Sequence, residues 1–77
     1  MRHHTDRRTA FSARLRTLRT SAGLTQERLA ERAGFDRSFY VEIEHGKHSL
    51  LLDRVFDLAE TLDVEIVELF RFQSSAE

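Results

Sequence analysis

The side chains best suited to bind a ligand in this sequence are arginines, and most lie in its first half. Residues 1–40 hold nine arginines and four acidic residues, a balance of +5, whereas residues 41–77 hold three basic and nine acidic residues, a balance of −6. A planar guanidinium binds phosphate or guanine through two parallel hydrogen bonds, which a lysine ammonium does not. The asymmetry predicts a basic face for a polyanion; two unrelated solvated surfaces are the alternative.

Catalytic and metal-binding arrangements are not expected. His45 and His48 are three positions apart across Gly46, and no carboxylate is positioned to complete a metal site with them. Glu42 and Glu44 project to different faces of one helix, so they do not make an acid–base pair. The chain has no cysteine, no glycine-rich phosphate loop and no motif typical of a serine–histidine–aspartate triad. We therefore expect neither an enzyme nor a protein that holds a metal or cofactor.

Apolar residues recur at helical spacing along the whole chain, which predicts an all-α domain of five helices. Asp6 or Thr9 is placed to cap the first helix, and Gly23 is placed to end it. The apolar stripe of this helix consists of Phe11, Leu15, Leu18 and Ala22. A broader buried stripe is expected on the fourth helix and consists of Leu52, Val55, Phe56, Ala59 and Leu62. Residues 64–72 are expected to form a short fifth helix.

These elements make one domain, residues 9–72, between a flexible basic arm, residues 1–8, and a disordered tail, residues 73–77. A domain this small buries only about 60% of its unfolded surface, so pairing with a second copy is the expected extra support. No segment has the apolar core of a signal peptide, and apolar runs such as residues 50–52 are far too short to span a bilayer. We expect a soluble, cytoplasmic protein without membrane contact.

Residues 26–45 place two short helices on either side of a tight turn. Gly34 can adopt a positive φ in that turn, Ala30 is small enough to let the two helices cross closely, and Phe35 can fill the angle between them. Such a turn holds the later helix as a rod that can enter a DNA major groove about 12 Å wide.

Capping residues mark the start of each of these two helices. Thr25 is a good N-cap for the earlier one and Asp36 for the later one. In the later helix Tyr40 and Ile43, three positions apart, are expected to pack inward together.

The order and spacing of these residues resemble the Cro/repressor-type helix-turn-helix family, also called the Xre family. The resemblance spans residues 11–70, about 60 of the 77 residues. Its matched segments are Leu15-Arg16-x-Leu18-Arg19, Gly23-Leu24-Thr25-Gln26, Leu29-Ala30, Ala33-Gly34, Ile43-Glu44-x-Gly46-Lys47 and Leu58-Ala59-x-x-Leu62. It implies a five-helix lambda-repressor-like domain in which helices 2 and 3 form the helix-turn-helix, and a sequence-specific regulator that binds double-stranded DNA.

The resemblance also implies which residues of the recognition helix contact base edges: Arg37, Ser38, Val41 and Glu42. By its own chemistry Arg37 can fork onto guanine, Ser38 can bond a base or a phosphate, and Val41 can contact a thymine methyl group. Three roles are open for Glu42. It can accept from the cytosine amino group, orient Arg37 or Arg14, or remain a solvated charge.

Phosphate contacts are expected from Thr25, Gln26, Lys47 and Arg14. Gln26, at the start of the second helix, would use its side chain and its backbone N–H, and Lys47 would hold the DNA backbone beyond the recognition helix. The resemblance further implies an ion pair of Arg19 with Glu44 that ties the first helix to the recognition helix. Phe39 is expected to pack either against a sugar or thymine or in the core.

Two departures from the family pattern point to a partner surface. Family members usually carry a proline-containing loop where this chain has His48-Ser49-Leu50-Leu51, so either these leucines are exposed or one of them begins the core face of the next helix. The last segment also carries more apolar surface than one side of a short helix can bury. The residues expected at a dimer interface are Leu50, Leu51, Val67, Phe70 and Phe72.

We therefore expect a homodimer that places two recognition helices in successive major grooves of an inverted repeat, about 34–36 Å apart. Controller proteins of restriction–modification systems, phage-type repressors and antitoxins are the family members that this chain most resembles. The alternative function is a protein-interaction module, such as an antitoxin or an adaptor subunit, whose acidic second half binds a basic protein partner.

Overall fold

The computed structural model describes residues 4–72, which fold into four α-helices and one short 3-10 helix. The α-helices are α1 (His4–Ser21), α2 (Gln26–Ala33), α3 (Arg37–Glu44) and α4 (Leu52–Leu62), and the terminal 3-10 helix spans Ile66–Phe70. The described residues contain no strand. The all-α prediction is therefore confirmed, but the expected count of five α-helices is not.

The first helix begins earlier than expected. α1 starts at His4, so residues 4–8, which were expected to belong to a flexible arm, are helical, and Thr9 lies inside the helix instead of capping it. The segment contains no proline or glycine that would stop the helix. Just after this segment, the backbone of Thr9 lies close to Gly46: a Cβ placed on Gly46 would be only 3.3 Å from Thr9 Cα. Residues 1–3 and 73–77, the rest of the expected arm and the expected tail, lie outside the described residues.

The turn between α2 and α3 forms as its residues predict. Thr25 Oγ1 accepts a hydrogen bond from the backbone N–H of Arg28 at 3.0 Å, and Asp36 Oδ2 accepts one from Phe39 at 3.0 Å. Gly34 ends α2 with a φ of +79°, which glycine adopts without the steric cost that a Cβ brings. Two short helices are thus joined by three residues, Gly34, Phe35 and Asp36, and Phe35 is buried in the angle between them.

The core lies where all five elements meet. Its buried apolar side chains are Leu15, Leu29, Ala30, Ala33, Phe35, Tyr40, Ile43, Val55, Leu58, Ala59, Leu62 and Leu69. The expected stripe of α4 is wrong in part: Leu58 is fully buried, whereas Leu52 is 65% exposed and Phe56 is 45% exposed. The stripe that faces α2 and the 3-10 helix runs through positions 55, 58, 59 and 62, the i, i+3, i+4, i+7 spacing of one helical face.

The segment after α4 turns sharply and forms only a 3-10 helix. Asp63 adopts a left-handed conformation, with a φ of 58°, and interrupts the helix. In the 3-10 helix the N–H of Glu68 donates to the carbonyl of Glu65 at 2.9 Å, an i→i+3 bond. Neighbouring β-branched residues, Ile66 and Val67, lower the α-helix propensity. Because only Leu69 of this element is buried, a short turn is sufficient to place it.

Candidate nucleic-acid interface

The exposed face of α3 is the surface on which the expected base contacts lie. Tyr40 and Ile43 hold the opposite face of α3 in the core, as expected from their spacing. Arg37 and Ser38 are exposed at the start of the helix, and Val41 follows one turn later, half-buried. Within the described residues the Arg37 guanidinium makes no hydrogen bond or ion pair, so it is available to a ligand.

Glu42 has a partner that was not among the expected ones. Its Oε1 lies 2.6 Å from Nε2 of His48, a residue of the loop that follows α3. The carboxylate is therefore bonded neither to Arg37 nor to Arg14, and it is not simply a solvated charge. Phe39, one turn before Glu42, is also partly covered, because the His48 ring stacks on it with centroids 5.2 Å apart. Phe39 thus belongs neither to the core nor to a freely exposed surface.

Arg14, an expected phosphate contact, is engaged inside the protein. Its Nε donates to the backbone carbonyl of Glu68 at 2.7 Å, and its Nη2 lies 2.9 Å from Glu68 Oε1. These bonds join α1 to the terminal 3-10 helix, and they engage the guanidinium on two sides. A phosphate contact by Arg14 would have to compete with these bonds to Glu68, a residue 54 positions away in the sequence.

The remaining phosphate-binding candidates flank α3. Gln26 Nε2 donates to Glu44 Oε1 at 3.0 Å, so its side-chain amide is engaged inside the protein. Its backbone N–H, at the first position of α2, still faces outward from the positive end of the helix dipole. Thr25 and Lys47 are exposed, one just before α2 and the other just after α3.

A cluster of hydrogen bonds around Glu44 fixes the position of α3. Glu44 is only 1% exposed, and its carboxylate is bound by Arg19 through Nε at 2.5 Å and Nη2 at 3.1 Å, the expected contact between α1 and α3. Tyr40 Oη donates to the same carboxylate at 2.5 Å, and Arg16 Nε lies 3.8 Å from it. Together with Gln26, these residues tie three helices to one buried charge.

The electrostatics of this cluster keep Glu44 ionised. Burial alone would raise its pKa, but the hydrogen bonds from Arg19, Tyr40 and Gln26 outweigh it and hold the pKa below its usual range. The hydrogen bond to Glu44 in turn raises the pKa of Arg19. Burial and the neighbouring carboxylate raise the pKa of Tyr40, so its hydroxyl stays protonated and remains a donor. The Tyr40 contact was not expected, although the i, i+4 spacing on one helix would have allowed it.

Sequence and structure comparisons place this arrangement among known proteins. Residues 15–69 match the family described as Helix-turn-helix (HTH_3). The chain belongs to this family. Two HTH-type transcriptional regulators are similar to it. The one of Sinorhizobium fredii is 33% identical over 64 residues, which cover 83% of both chains. The one of Archaeoglobus fulgidus is 36% identical over 59 residues, which cover 77% of this chain and 84% of the relative.

A solved helix-turn-helix structure extends the similarity to the whole fold. The restriction–modification controller protein C.AhdI from Aeromonas hydrophila superimposes with a TM-score of 0.80 and 44% sequence identity, over 82% of this chain and 96% of that chain. The Cro/repressor-type resemblance seen in the sequence is thereby confirmed. Family and neighbours together support a DNA-binding regulator as the class of this helix-turn-helix protein.

Apolar residues are also exposed along α4 and the terminal 3-10 helix of this helix-turn-helix domain, and we refer to them together as its apolar surface. Its exposed members are Leu51, Leu52, Phe56, Val67 and Phe70. A groove of about 400 Å³ runs beside it, and Phe11, Leu50, Val55 and Phe72 contribute to its walls. Of the residues expected at a dimer interface, Leu50 instead packs partly against the core, while Leu51, 78% exposed, lies outside it.

Other kinds of site find no support in the part of the chain that the structure covers. Among residues 4–72 there is no group of three or more histidine and acidic side chains that could hold a metal ion. No helix in the same range is long and apolar enough to cross a membrane.

Proposed function

We propose that this chain is a transcriptional regulator that binds double-stranded DNA sequence-specifically through α3. The observation that carries the proposal is the state of Arg37. Among residues 4–72 its guanidinium has no partner, and it is exposed at the start of a helix whose other face is buried and whose far end is held by the Glu44 cluster. A guanidinium in that place can fork onto guanine O6 and N7, the commonest specific contact in a major groove.

Residues on both sides of α3 can hold the DNA backbone while the helix reads bases. The backbone N–H of Gln26 at the start of α2 and the ammonium group of Lys47 beyond the end of α3 are suited to phosphate oxygens. Ser38 and Val41 extend the reading surface from Arg37 along the helix, toward a base or phosphate oxygen and a thymine methyl group respectively.

The proposed functional unit is a homodimer on an inverted repeat. The apolar surface of α4 and the 3-10 helix supports this, because large exposed apolar patches on small domains commonly mark protein interfaces. Leu52 and Phe56, one turn apart on α4, join Leu51, Val67, Phe70 and Phe72 as the residues that we assign to it. A twofold axis through this surface would present two copies of α3 to successive major grooves, about 34–36 Å apart.

Selection of bound sequences from a random DNA pool tests the DNA-binding proposal. Arg37→Ala should reduce the preference at one base pair by about 5- to 150-fold, whereas Lys47→Ala should weaken binding to all sequences alike and lower the salt dependence. Arg32→Ala, which removes an exposed charge at the end of α2, is the matched control. Equal losses on selected and random DNA for Arg37→Ala would contradict its base-reading role. A parent chain with no sequence preference would favour the protein-interaction alternative.

Sedimentation equilibrium tests the dimer. The parent chain should associate, and Leu52→Glu or Phe56→Glu should shift it toward monomer because each buries a charge in the apolar interface. Thr17→Glu, which adds the same charge at an exposed position of α1, should leave the association unchanged. A parent chain that remains monomeric at the highest soluble concentration would rule out this interface.

A further inference from the structure

Three aromatic rings form a column that runs from the core to the exposed face of α3. The ring of buried Phe35 lies nearly parallel to that of Phe39, at 14° and a centroid distance of 6.4 Å, and the ring of His48 stacks on Phe39 at 26° and 5.2 Å. The base of the column is held by Arg54, whose guanidinium carbon lies 4.0 Å from the Phe35 ring centroid and which also donates to the carbonyl of Gly34 at 2.8 Å. His48 is therefore the outermost ring of a structure that begins in the core.

Because of this column, the Glu42–His48 hydrogen bond should be more stable than that of an ordinary exposed pair. Exposed ion pairs are weak because holding two mobile side chains in one geometry costs entropy. Here the imidazole is already held by stacking, so only the Glu42 side chain has to be ordered. Within the described residues the bond uses only Oε1 of Glu42, so Oε2 has no protein partner and can accept a hydrogen bond from a ligand.

We propose that His48 is a positioning residue for base reading, which fixes the Glu42 carboxylate so that it accepts a hydrogen bond from a cytosine amino group. The inference rests on the proposed DNA-binding function. Cytosine presents an amino donor in the major groove, whereas guanine presents two acceptors that a fixed carboxylate repels. A carboxylate held in place before binding discriminates better, because it cannot turn away from an unsuitable base and does not have to be ordered in the complex.

The test measures the base preference at every position of the selected DNA site for the parent chain, His48→Ala, His48→Gln, Glu42→Gln and the double variant His48→Ala/Glu42→Gln. His45→Ala is the matched control, because it removes an exposed imidazole from the same end of α3. Thermal melting of each variant identifies the temperature range in which all are folded, and binding is measured there. Affinity for random DNA is measured alongside, since a phosphate contact would affect both kinds of DNA.

We expect His48→Ala to lose about tenfold in preference at a single C·G base pair, with unchanged affinity for random DNA. His48→Gln, which keeps an N–H donor, should fall between the parent and His48→Ala. In the Glu42→Gln background, His48→Ala should cause little further loss of preference at this base pair, because His48 acts through Glu42.

Four results would overturn the inference. The first is an unchanged preference in His48→Ala, and the second is an equal loss on selected and random DNA. The third is a full additional loss in the double variant, which would make His48 a direct contact. The fourth, a parent chain without any sequence preference, would overturn the proposed function together with the inference. The first three leave that function standing.

Discussion

Replacement of Arg19 by alanine would remove the arginine that hydrogen-bonds both oxygens of the buried Glu44 carboxylate. The Arg19 side chain is only 12% exposed, and it bonds both carboxylate oxygens as well as the carbonyl of Leu24, at 2.8 Å. The variant would leave a negative charge in a site that water reaches poorly, which is the costly case for a buried ion pair. We therefore expect a loss of stability much larger than that of an ordinary surface arginine.

The remaining partners of Glu44 set the size of this loss. Removing one member of a buried pair costs about 3–5 kcal/mol. Tyr40 and Gln26 continue to donate hydrogen bonds to the carboxylate, and Arg16 remains 3.8 Å away, so we expect the lower end, about 3 kcal/mol. In a domain of this size each kcal/mol lowers the melting temperature by roughly 4–8 °C, which gives a decrease of about 12–24 °C.

Thermal and urea unfolding of matched variants measure this loss. Arg28→Ala is the control, because its pair with Glu31, at 3.7 Å, is exposed on both sides and should contribute only about 0–1 kcal/mol. Repeating Arg19→Ala in a Glu44→Gln background completes a double-mutant cycle, in which the cost of losing Arg19 should fall once the buried charge is gone. If Arg19→Ala costs no more than Arg28→Ala, or costs the same in both backgrounds, the buried-charge explanation is wrong.

Three further predictions concern stability. Because the folded-state pKa of Glu44 is below its ordinary value of 4.5, the ionised carboxylate contributes to stability above about pH 4.5, and this contribution is lost as the pH falls through the lower folded value. The free energy of unfolding, measured with urea, should show this decrease. An equal decrease in Glu44→Gln would contradict the prediction. Gly46→Ala should lower the melting temperature more than Gly34→Ala. Both positions have a positive φ, which costs a side chain about 1–2 kcal/mol, but only a Cβ at Gly46 would meet neighbouring atoms, at 3.2 Å. Equal decreases for the two variants would contradict this prediction. Arg14→Ala should lower the free energy of unfolding by about 1–2 kcal/mol, because its bonds to Glu68 are lost, and should leave the affinity for random DNA unchanged. A weaker affinity would instead support a phosphate contact by Arg14.

The parts of the fold that were predictable from sequence depend on local chemistry. Thr25 and Asp36 cap helices through bonds to residues three positions later, and Gly34 occupies a turn that requires a positive φ. Such interactions depend on short spacings that are visible in the sequence itself. The Arg19–Glu44 contact was expected for another reason, because it is implied by the family resemblance and not by any local pattern.

The partners of Arg14 and Glu42 were not predictable in the same way. Arg14 is 54 positions from Glu68, and nine acidic residues in the second half of the chain were equally available to it by sequence alone. His48 is only six positions from Glu42, but its return to the helix depends on the loop that contains Gly46, with a φ of +73°. Side-chain partners across a loop or between distant helices depend on how the chain packs, and the spacing of residues in the sequence does not reveal them.

The exposed stripe of α4 connects the fold to the proposed dimer. Apolar residues occur on more than one face of this helix, and the single stripe predicted from periodicity included Leu52 and Phe56 but not Leu58. The structure buries the face centred on Leu58 and leaves Leu52 and Phe56 outside. These exposed apolar side chains favour association, because burying their surface against another chain would lower the free energy.

The same helix links that surface to the recognition helix. Arg54 of α4 donates to the carbonyl of Gly34 in the turn before α3 and packs against the ring of Phe35, while the Glu44 cluster holds the other end of α3 to α1. α3 is thus fixed at both ends, and one of these attachments comes from the helix that carries the proposed interface. Pairing two copies through α4 would set not only the distance between the two recognition helices but also their orientation, which an inverted repeat requires.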